Sequence, residues 1–209
     1  MTRPPARGHL FIVVEGPNGV GKTTSTRALA DQLGATGVRV MVTSEPSGTP
    51  FGRLIRSGES DLTGRALALA VAADRADHIH REIWPALQAG LVVISDRYVQ
   101  SSLVLQRLDG LELEEIWQYN AHVLPASLSC YLHHEAGELT QRLGRRTTLS
   151  RLEQVGSPEQ ELALYEEAFH FLEAHGWRQT RIDCRGLSPG EVATELLSQV
   201  QDAYDSDTV

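Results

Sequence analysis

The segment Gly16–Thr23, which reads Gly-Pro-Asn-Gly-Val-Gly-Lys-Thr, carries the clearest chemistry in this chain and matches G-x-x-x-x-G-K-[ST] in full. Glycines let such a loop bend until successive backbone N–H groups point inward, and a following helix adds partial positive charge at its start. Lys22, the single lysine among 19 basic residues, is placed to neutralise phosphate oxygens. The pattern predicts a polyphosphate site. The alternative is a Gly-rich turn with a purely structural use.

We expect the loop and the residue after it to bind ATP together with Mg²⁺. The expected contacts are Gly16, Pro17, Asn18, Gly19, Val20, Gly21, Lys22, Thr23 and Thr24. The Thr23 hydroxyl is the first expected metal ligand, and a carboxylate at the end of a neighbouring apolar strand is the second. Asp96, directly after Leu91–Ser95, fits that place and is also an expected catalytic residue. The alternative for Asp96 is a helix cap.

Short apolar runs separated by helical stretches must position these residues. The predicted strands are His9–Glu15, Val38–Thr43, Leu91–Ser95, Leu128–Leu132 and Thr180–Cys184. Lys22–Leu33 and Thr63–Gln88 have helical spacing, Glu45–Pro50 reads as a loop, and the tails Met1–Gly8 and Asp202–Val209 are expected to fray. This alternation predicts an α/β fold of the P-loop three-layer sandwich type, with a five-stranded parallel sheet and helices on both faces.

Composition limits the classes of protein to consider. The 209 residues, 41% hydrophobic and 22% charged, predict one domain spanning residues 1–209. The apolar runs fall far short of the roughly 20 residues that cross a bilayer, and we interpret the chain as cytoplasmic without a membrane partner. A net charge of −8 argues against nucleic acid as a partner. Cys130 and Cys184 lack metal-ligand spacing and are expected in the core.

Further motifs, from Phe11 to about Val192, resemble those of the thymidylate kinase family of nucleoside monophosphate kinases. In order they are Phe11–Gly16, Glu45–Pro50 (similar to E-P-G-G-T), Ala72–His78 (A-A-D-R-x-x-H), Asp96–Ser102 (D-R-Y-x-x-S-S) and the arginine-bearing lid segment Arg142–Glu153. The resemblance implies transfer of the γ-phosphoryl group of ATP to a nucleoside 5′-monophosphate, a lid at about 142–155, and a homodimer.

The resemblance also implies a set of contacts to the acceptor nucleotide. They are Glu45, Arg56, Val71, Arg75, Arg97, Ser101, Ser102, Leu105 and Gln106. Arg75 would recognise the base and Arg97 the acceptor phosphate, since a planar guanidinium can grip two oxygens. The alternatives are a surface arginine paired to Asp74 or Asp77, and ordinary helix-start serines at Ser101 and Ser102.

The lid arginines give an argument that is independent of the family. Arg142, Arg145 and Arg146 are spaced to share one helical face, where like charges repel by a few tenths of a kcal/mol, roughly. Glu138 can offset Arg142, but no further acid follows until Glu153. We expect Arg142 to contact ATP, whose adenine would lie near Arg185–Ser188. Arg145, Arg146 and Arg151 are expected to be catalytic, and the alternative is a solvated basic patch.

Several acceptor-side residues depart from the family pattern. Val71 stands where a phenylalanine usually stacks on thymine, and Leu105 where a tyrosine lies near the sugar. Asn18 replaces an acidic residue, and Ser44 replaces an arginine. We therefore expect either weak use of thymidylate or preference for another pyrimidine monophosphate, with a ribose 2′-hydroxyl or a modified base. The competing classes are a P-loop kinase of a non-nucleotide small molecule and a nucleotide-binding regulator without turnover.

Overall fold

The computed structural model describes residues 10–206, and for residues 204–206 only the helical backbone. Five short strands form its sheet. They are β1 (Phe11–Glu15), β2 (Val40–Ser44), β3 (Val92–Asp96), β4 (Leu128–His133) and β5 (Gln179–Asp183). Each predicted strand is confirmed to within two residues at either end. His9, the predicted tail Met1–Gly8 and residues 207–209 lie outside the described residues.

All strand pairs are parallel, in the order β2-β3-β1-β4-β5. β1 is central and every one of its residues is buried, as its apolar sequence predicts. Its neighbours put Asp96 opposite Val14 on one side and Tyr131 opposite Glu15 on the other. Because parallel strands end at the same edge, Glu15 and Asp96 come together at the carboxyl edge of the sheet, where the phosphate loop begins.

Ten α-helices and one wider π-type turn surround the sheet within the described residues. The helices are α1 (Lys22–Ala35), α2 (Pro50–Gly58), α3 (Gly64–His78), α4 (Trp84–Gln88), α5 (Val99–Leu108), α6 (Leu113–Asn120), α7 (Ala136–Gly144), α8 (Arg151–Val155), α9 (Pro158–Ala174) and α10 (Pro189–Ser206).

The two faces of β1 contribute to separate cores, because successive side chains of a strand point to opposite sides. Phe11 and Val13 pack with helices α5 and α9, while Ile12 and Val14 pack with α1 and α10. The predicted three-layer arrangement is therefore confirmed. Cys130 and Cys184 are buried free cysteines, as expected.

The long predicted helix Thr63–Gln88 is interrupted by the π-type turn Ile79–Ile83. Pro85 explains the interruption, because proline cannot donate to the carbonyl of Arg81 and its ring would clash with that carbonyl. The chain was predicted to fray from Asp202, but α10 continues to Ser206, so the prediction was wrong for residues 202–206. No helix within residues 10–206 is long and apolar enough to cross a bilayer.

Candidate active site

The phosphate loop connects β1 to α1 through three glycines with positive φ, Gly16 (139°), Gly19 (84°) and Gly21 (107°). A side chain at Gly16 is excluded, because an added Cβ would lie 2.4 Å from the carbonyl oxygen of Leu132 on β4. The loop is therefore pressed against the end of the sheet, and α1 begins within its last two residues, at Lys22. This arrangement points the start of a helix and its free N–H groups at the space above the sheet.

Lys22 is buried inside the loop, with Nζ 2.7 Å from the carbonyl oxygen of Gly16 and 2.9 Å from that of Pro17. The pKa of Lys22 is lowered to about 7, chiefly by burial and also by the nearby Arg97 guanidinium. The carboxylates of Asp96, Glu15 and Glu161 oppose this decrease. The ammonium is thus held where additional negative charge would stabilise it.

Thr23 and Asp96 meet as expected, with the hydroxyl of Thr23 donating to Oδ2 of Asp96 at 2.5 Å. Oδ1 of Asp96 is buried and has no hydrogen-bond partner among the described residues. Asp96 ends β3 and does not cap α5, whose N-cap is Tyr98, so the helix-cap alternative is wrong. Hydroxyl and carboxylate oxygens are ligands that Mg²⁺ takes, usually together with waters and substrate phosphates.

Arg97 lies at the boundary between the phosphate loop and the acceptor side. It is the one non-glycine residue with positive φ (74°) in the described chain, and such backbone strain of about 1–3 kcal/mol is typical of functional sites. Its guanidinium donates to Oδ1 of Asn18 at 2.5 Å and to the hydroxyl of Ser101 at 3.1 Å. Arg97 is therefore fixed beside the loop, and part of its guanidinium has no hydrogen-bond partner among the described residues and is available to bind an anion.

A buried carboxylate that the sequence analysis did not single out supports this arrangement. Glu15 accepts hydrogen bonds from the backbone N–H groups of Tyr98 (2.6 Å) and Ser101 (3.1 Å). It also accepts from the hydroxyls of Ser101 (2.8 Å) and Tyr165 (3.1 Å). Burial raises the pKa of Glu15, although the Arg97 guanidinium lowers it. Glu15 thus binds the end of β1 to the first turn of α5.

Glu161, at the start of α9, is a second buried carboxylate beside the site that sequence reasoning missed. Both of its oxygens accept from Asn18 at 2.8 Å, Oε2 from the backbone N–H and Oε1 from Nδ2. Only 2% of Glu161 is exposed. The sequence did hold a signal, because Glu161 is a charged residue on the inward face of α9, which continues with Tyr165, Ala168, Phe169 and Leu172.

Arg75 lies at the floor of a cavity of about 330 Å³ that the predicted acceptor residues line. Its guanidinium donates to Glu45 (2.7 Å), to Asn120, to the carbonyl of Tyr98 (3.2 Å) and to the hydroxyl of Ser102 (2.9 Å). With 1% of Arg75 exposed, the surface-arginine alternative is wrong. Asn120 is a partner that the sequence gave no reason to expect.

Neighbouring residues of α3 hold the loop that follows β2. Asp74 accepts from the backbone N–H and the hydroxyl of Ser47, both at 2.6 Å, so it positions this loop and is not itself aimed at the cavity. His78 contacts Glu45 at 3.3 Å and the Thr43 hydroxyl at 2.7 Å. The Glu45–Pro46 peptide bond in this loop is cis.

The serines at the start of α5 are buried and neither caps the helix. Ser101 is bonded to Glu15 and Ser102 to Arg75, so the alternative of ordinary helix-start serines is wrong. Gln106, one turn further along, also lines the cavity, and its Oε1 is buried with no partner among the described residues. The buried face of α5 thus presents polar groups to the cavity.

Aliphatic side chains form the remaining wall of the acceptor cavity. Val71 of α3 packs with Ile55, Leu67 and Leu152, and Leu105 of α5 lies against this cluster. No aromatic ring stands at position 71 or 105, so a planar ligand here would lie between branched side chains. Because Leu152 belongs to α8, the predicted lid contributes to the same wall.

The predicted lid arginines are not brought to one place. Arg146 lines a cavity of about 250 Å³ together with the phosphate loop, and its guanidinium lies 2.5 Å from Glu153. Arg145 donates to Gln141 (3.0 Å), and Arg142 to Glu138 (3.0 Å) beside His134. The face shared by three arginines does not exist, because α7 ends at Gly144.

Arg151 faces another carboxylate. It donates to both oxygens of Asp109, at 2.6 and 2.7 Å, and Asp109 also accepts from the backbone N–H of Gly64, the first residue of α3. Arg151 does not line the phosphate cavity in this conformation. Its predicted catalytic role, like that of Arg145, stays a prediction.

Arg56 of α2 donates to the hydroxyl of Ser44 at 3.1 Å and to the carbonyl of Pro46. Its side chain lines the acceptor cavity, as predicted for a substrate contact. Arg185 pairs instead with Asp183, and the adenine site predicted near Arg185–Ser188 stays a prediction.

The acceptor cavity and the phosphate cavity meet. Asn18, Arg97 and Glu153 line both of them. An anionic group bound by Arg97 from the acceptor side would therefore lie next to a polyphosphate bound by the loop. This is the geometry that transfer of a phosphoryl group between two phosphates requires.

Comparison with known proteins supplies the family. The family model described as thymidylate kinase matches residues 14–175. A probable thymidylate kinase of Pyrobaculum calidifontis is 36% identical over 202 residues, covering 94% of this chain and 98% of the relative. A thymidylate kinase of a Synechococcus species is 38% identical over 92% of this chain and 95% of its own. A probable thymidylate kinase of Pyrococcus abyssi is 40% identical over 71% of this chain and 76% of its own.

Proposed function

The chain belongs to the thymidylate kinase family and phosphorylates a nucleoside monophosphate at the expense of ATP, and we propose that its acceptor is a pyrimidine nucleotide. The observation that supports this assignment is the junction at Arg97, where the phosphate cavity and the acceptor cavity share a wall. The comparisons support neither alternative, a kinase of a non-nucleotide molecule or a regulator without turnover.

In the donor half, the triphosphate of ATP would lie in the phosphate loop Gly16–Thr23, with Lys22 between its terminal phosphates. The ammonium now donates to two neutral carbonyls, and phosphate oxygens would be stronger acceptors for it. Thr24 and Arg142 are further proposed ATP contacts. The loop's backbone N–H groups are fixed before binding, so little reorganisation accompanies the reaction.

Mg²⁺ fits the pair formed by Thr23 and Asp96, because a buried carboxylate oxygen of Asp96 has no partner within residues 10–206. The described residues contain no group of three or more His, Cys, Asp or Glu side chains that could hold a metal ion. Nucleotide phosphates and water are therefore the remaining ligands that we propose. When bound, the ion would neutralise charge on the transferred phosphoryl group.

On the acceptor side, Arg97 would bind the monophosphate and align its oxygen with the γ-phosphorus. The contacts to Asn18 and Ser101 hold the guanidinium in one orientation, which preserves reactive geometry. Arg146, whose side chain reaches the phosphate cavity, is the lid residue best placed to stabilise the charge that develops during transfer.

The base would lie in the aliphatic slot between Val71, Leu105 and Leu152. Arg75 already uses most of its N–H groups within the chain, so it offers a base few donors. Gln106 and Ser102 supply further polar contacts. We propose thymidylate as the reference acceptor, because the named relatives are thymidylate kinases. Leu105 stands where the family pattern has a tyrosine. The space left by the missing ring would admit a ribose 2′-hydroxyl or a modified pyrimidine.

Further proposals concern the quaternary structure, the cellular location and the domain organisation. From the family resemblance we propose a homodimer, with a cytoplasmic location and one domain whose lid spans about residues 142–155. Each rests on the sequence pattern and on that resemblance.

The test is a panel of thymidylate, deoxyuridylate, uridylate, cytidylate and adenylate, assayed with ATP and Mg²⁺ for diphosphate formation. We expect turnover of a pyrimidine monophosphate, loss of turnover with a chelator, and recovery when Mg²⁺ is restored. Absence of turnover with every monophosphate would overturn the proposed function. Rapid turnover of thymidylate alone would overturn the wider acceptor range.

A further inference from the structure

Glu161 is a buried acid with no assigned role, at the beginning of α9. It lies 143 residues along the chain from Asn18, yet both of its oxygens contact that residue of the phosphate loop. Burying a carboxylate without a cation partner costs free energy, and its direct partner here is a neutral residue. A residue retained in such a place calls for an explanation in terms of the loop.

The two contacts fix which way the Asn18 amide points. A carboxylate can only accept hydrogen bonds, so Glu161 selects the Nδ2 end of the amide and turns Oδ1 to the opposite side. On that side Oδ1 accepts from Nη2 of Arg97 at 2.5 Å. The chain Glu161–Asn18–Arg97 therefore runs from an anion, through an oriented amide, to a cation.

Without the acid, the Asn18 amide would be oriented by the hydrogen bond from Arg97 alone, and its rotation would be less restricted. If it rotated, Nδ2 would face Arg97, and two donors would oppose one another. Arg97 would then move away from the position in which Ser101 also holds it. A misplacement of that size beside the reacting phosphates lowers the rate of transfer.

We propose that Glu161 is a positioning residue, which orients the Asn18 amide so that Arg97 is held to receive the acceptor phosphate. This rests on the proposed function. The arrangement places the acid one side chain away from Arg97 and so further from the phosphates, which lowers its repulsion toward them. The family pattern has an acid at position 18. In this chain the Asn18 amide makes the contact to Arg97, and Glu161 of α9 supplies the negative charge.

The decisive variant is Glu161→Gln, which keeps the size of the side chain and removes its charge. The introduced oxygen can still accept from the backbone N–H of Asn18, so the loop keeps that bond. The introduced NH₂ group then faces the Asn18 side chain and turns it over. We expect kcat/KM for the acceptor to fall at least tenfold, while the Kd for ATP, measured by calorimetry, changes less than threefold.

The rescue variant combines Asn18→Asp with Glu161→Gln. The introduced carboxylate can accept from Arg97 and from the introduced amide, so the charge moves one side chain closer and the hydrogen bonds are complete again. We expect kcat/KM for the acceptor to return to within about threefold of the original protein. Recovery of acceptor kinetics is a result that a merely structural role for Glu161 does not predict.

Glu166→Gln is the matched control, because Glu166 is an exposed acid of α9 that pairs with Arg181. It should leave kcat/KM for the acceptor and the Kd for ATP unchanged. Unchanged acceptor kinetics in folded Glu161→Gln, or a folded double variant with no recovery, would overturn the proposal. If Glu161→Gln does not fold, Asn18→Ala decides: it should lower acceptor kcat/KM about tenfold, and unchanged kinetics would overturn the proposal. Failure of the unaltered protein to phosphorylate any monophosphate would reject the proposed function instead.

Discussion

The phosphate loop and the acceptor cavity meet at Arg97, but different kinds of interaction hold them. The loop Gly16–Thr23 is one contiguous segment whose shape follows from backbone geometry and from the close approach to β4. The acceptor cavity is assembled from α2, α3, α5 and α8, and buried polar side chains hold its floor. The single side chain of Arg75 connects α3 to the loop after β2, to α5 and to α6.

This difference predicts that the two regions respond differently to substitution. A loop whose shape is set by its backbone keeps that shape when a catalytic side chain is removed, whereas a buried polar network loses stability when one member is removed. We therefore expect substitutions in the donor half to change turnover, and those at the acceptor floor to change the free energy of unfolding. The four predictions that follow test this division.

The largest expected effect is on stability, from Arg75→Met. The change leaves Glu45 buried without its guanidinium partner, and loss of one member of a buried ion pair costs about 3–5 kcal/mol. Arg65→Met, on the same helix, removes an exposed pair with Glu115 and should lower the free energy of unfolding far less, because solvent screens an exposed ion pair. Urea unfolding of both variants measures the difference. Equal losses would contradict the idea that the floor supports the fold.

Lys22→Ala should lower kcat by about 10²–10³-fold, the usual effect of removing one donor that stabilises transition-state charge. The free energy of unfolding should change little, because the partners of Lys22 Nζ within residues 10–206 are two loop carbonyls. Steady-state assays with ATP and the preferred monophosphate, together with thermal unfolding, provide the measurement. A kcat within tenfold of the original would refute the role of the lysine.

Arg146→Met should lower kcat about 10–100-fold, whereas Arg145→Met should change it less than about threefold. Only Arg146 reaches the phosphate cavity, while the adjacent Arg145 donates to Gln141. The two variants remove the same charge from neighbouring positions, so each is the control for the other. A larger loss from Arg145→Met would show that the lid rearranges when nucleotides bind.

The smallest effect is expected from Val71→Phe, which adds a ring to the aliphatic slot. An aromatic contact contributes about 1 kcal/mol, so KM for thymidylate should fall about fivefold. Leu69→Phe places the same ring on the exposed side of α3 and should leave KM unchanged. An unaltered or higher KM in Val71→Phe would mean that the base does not lie against this residue.

The sequence was sufficient for those parts that depend on neighbouring residues. Each strand is a short apolar run, and the phosphate loop is a contiguous motif, so spacing alone located Lys22, Thr23 and the edge of the sheet. Asp96 was found for the same reason, because it follows a predicted buried strand, whereas the role of Arg97 came from the resemblance to the family. The π-type turn was not predicted, although Pro85 was its visible cause.

The acceptor floor and the lid were less predictable, because their geometry depends on distant contacts. Asn120 and Glu161 reach the site from α6 and α9, and no local pattern says which residue each will meet. The lid arginines were placed on one helical face, but Gly144 ends α7 before Arg145. Periodicity predicts which residues share a face only while the helix continues, so it could not place Arg145 and Arg146, which follow the last residue of α7.

Asp109 connects the start of α8 to the start of α3, because it accepts from the Arg151 side chain and from the backbone N–H of Gly64. Opening of the proposed lid, at about residues 142–155, would break both hydrogen bonds between Arg151 and Asp109, whose carboxylate also accepts from the helix that bears Val71. Release of the diphosphate would then require these contacts to break. In a kinase of this design, the residence time of the product would depend on an ion pair that lies outside the phosphate cavity.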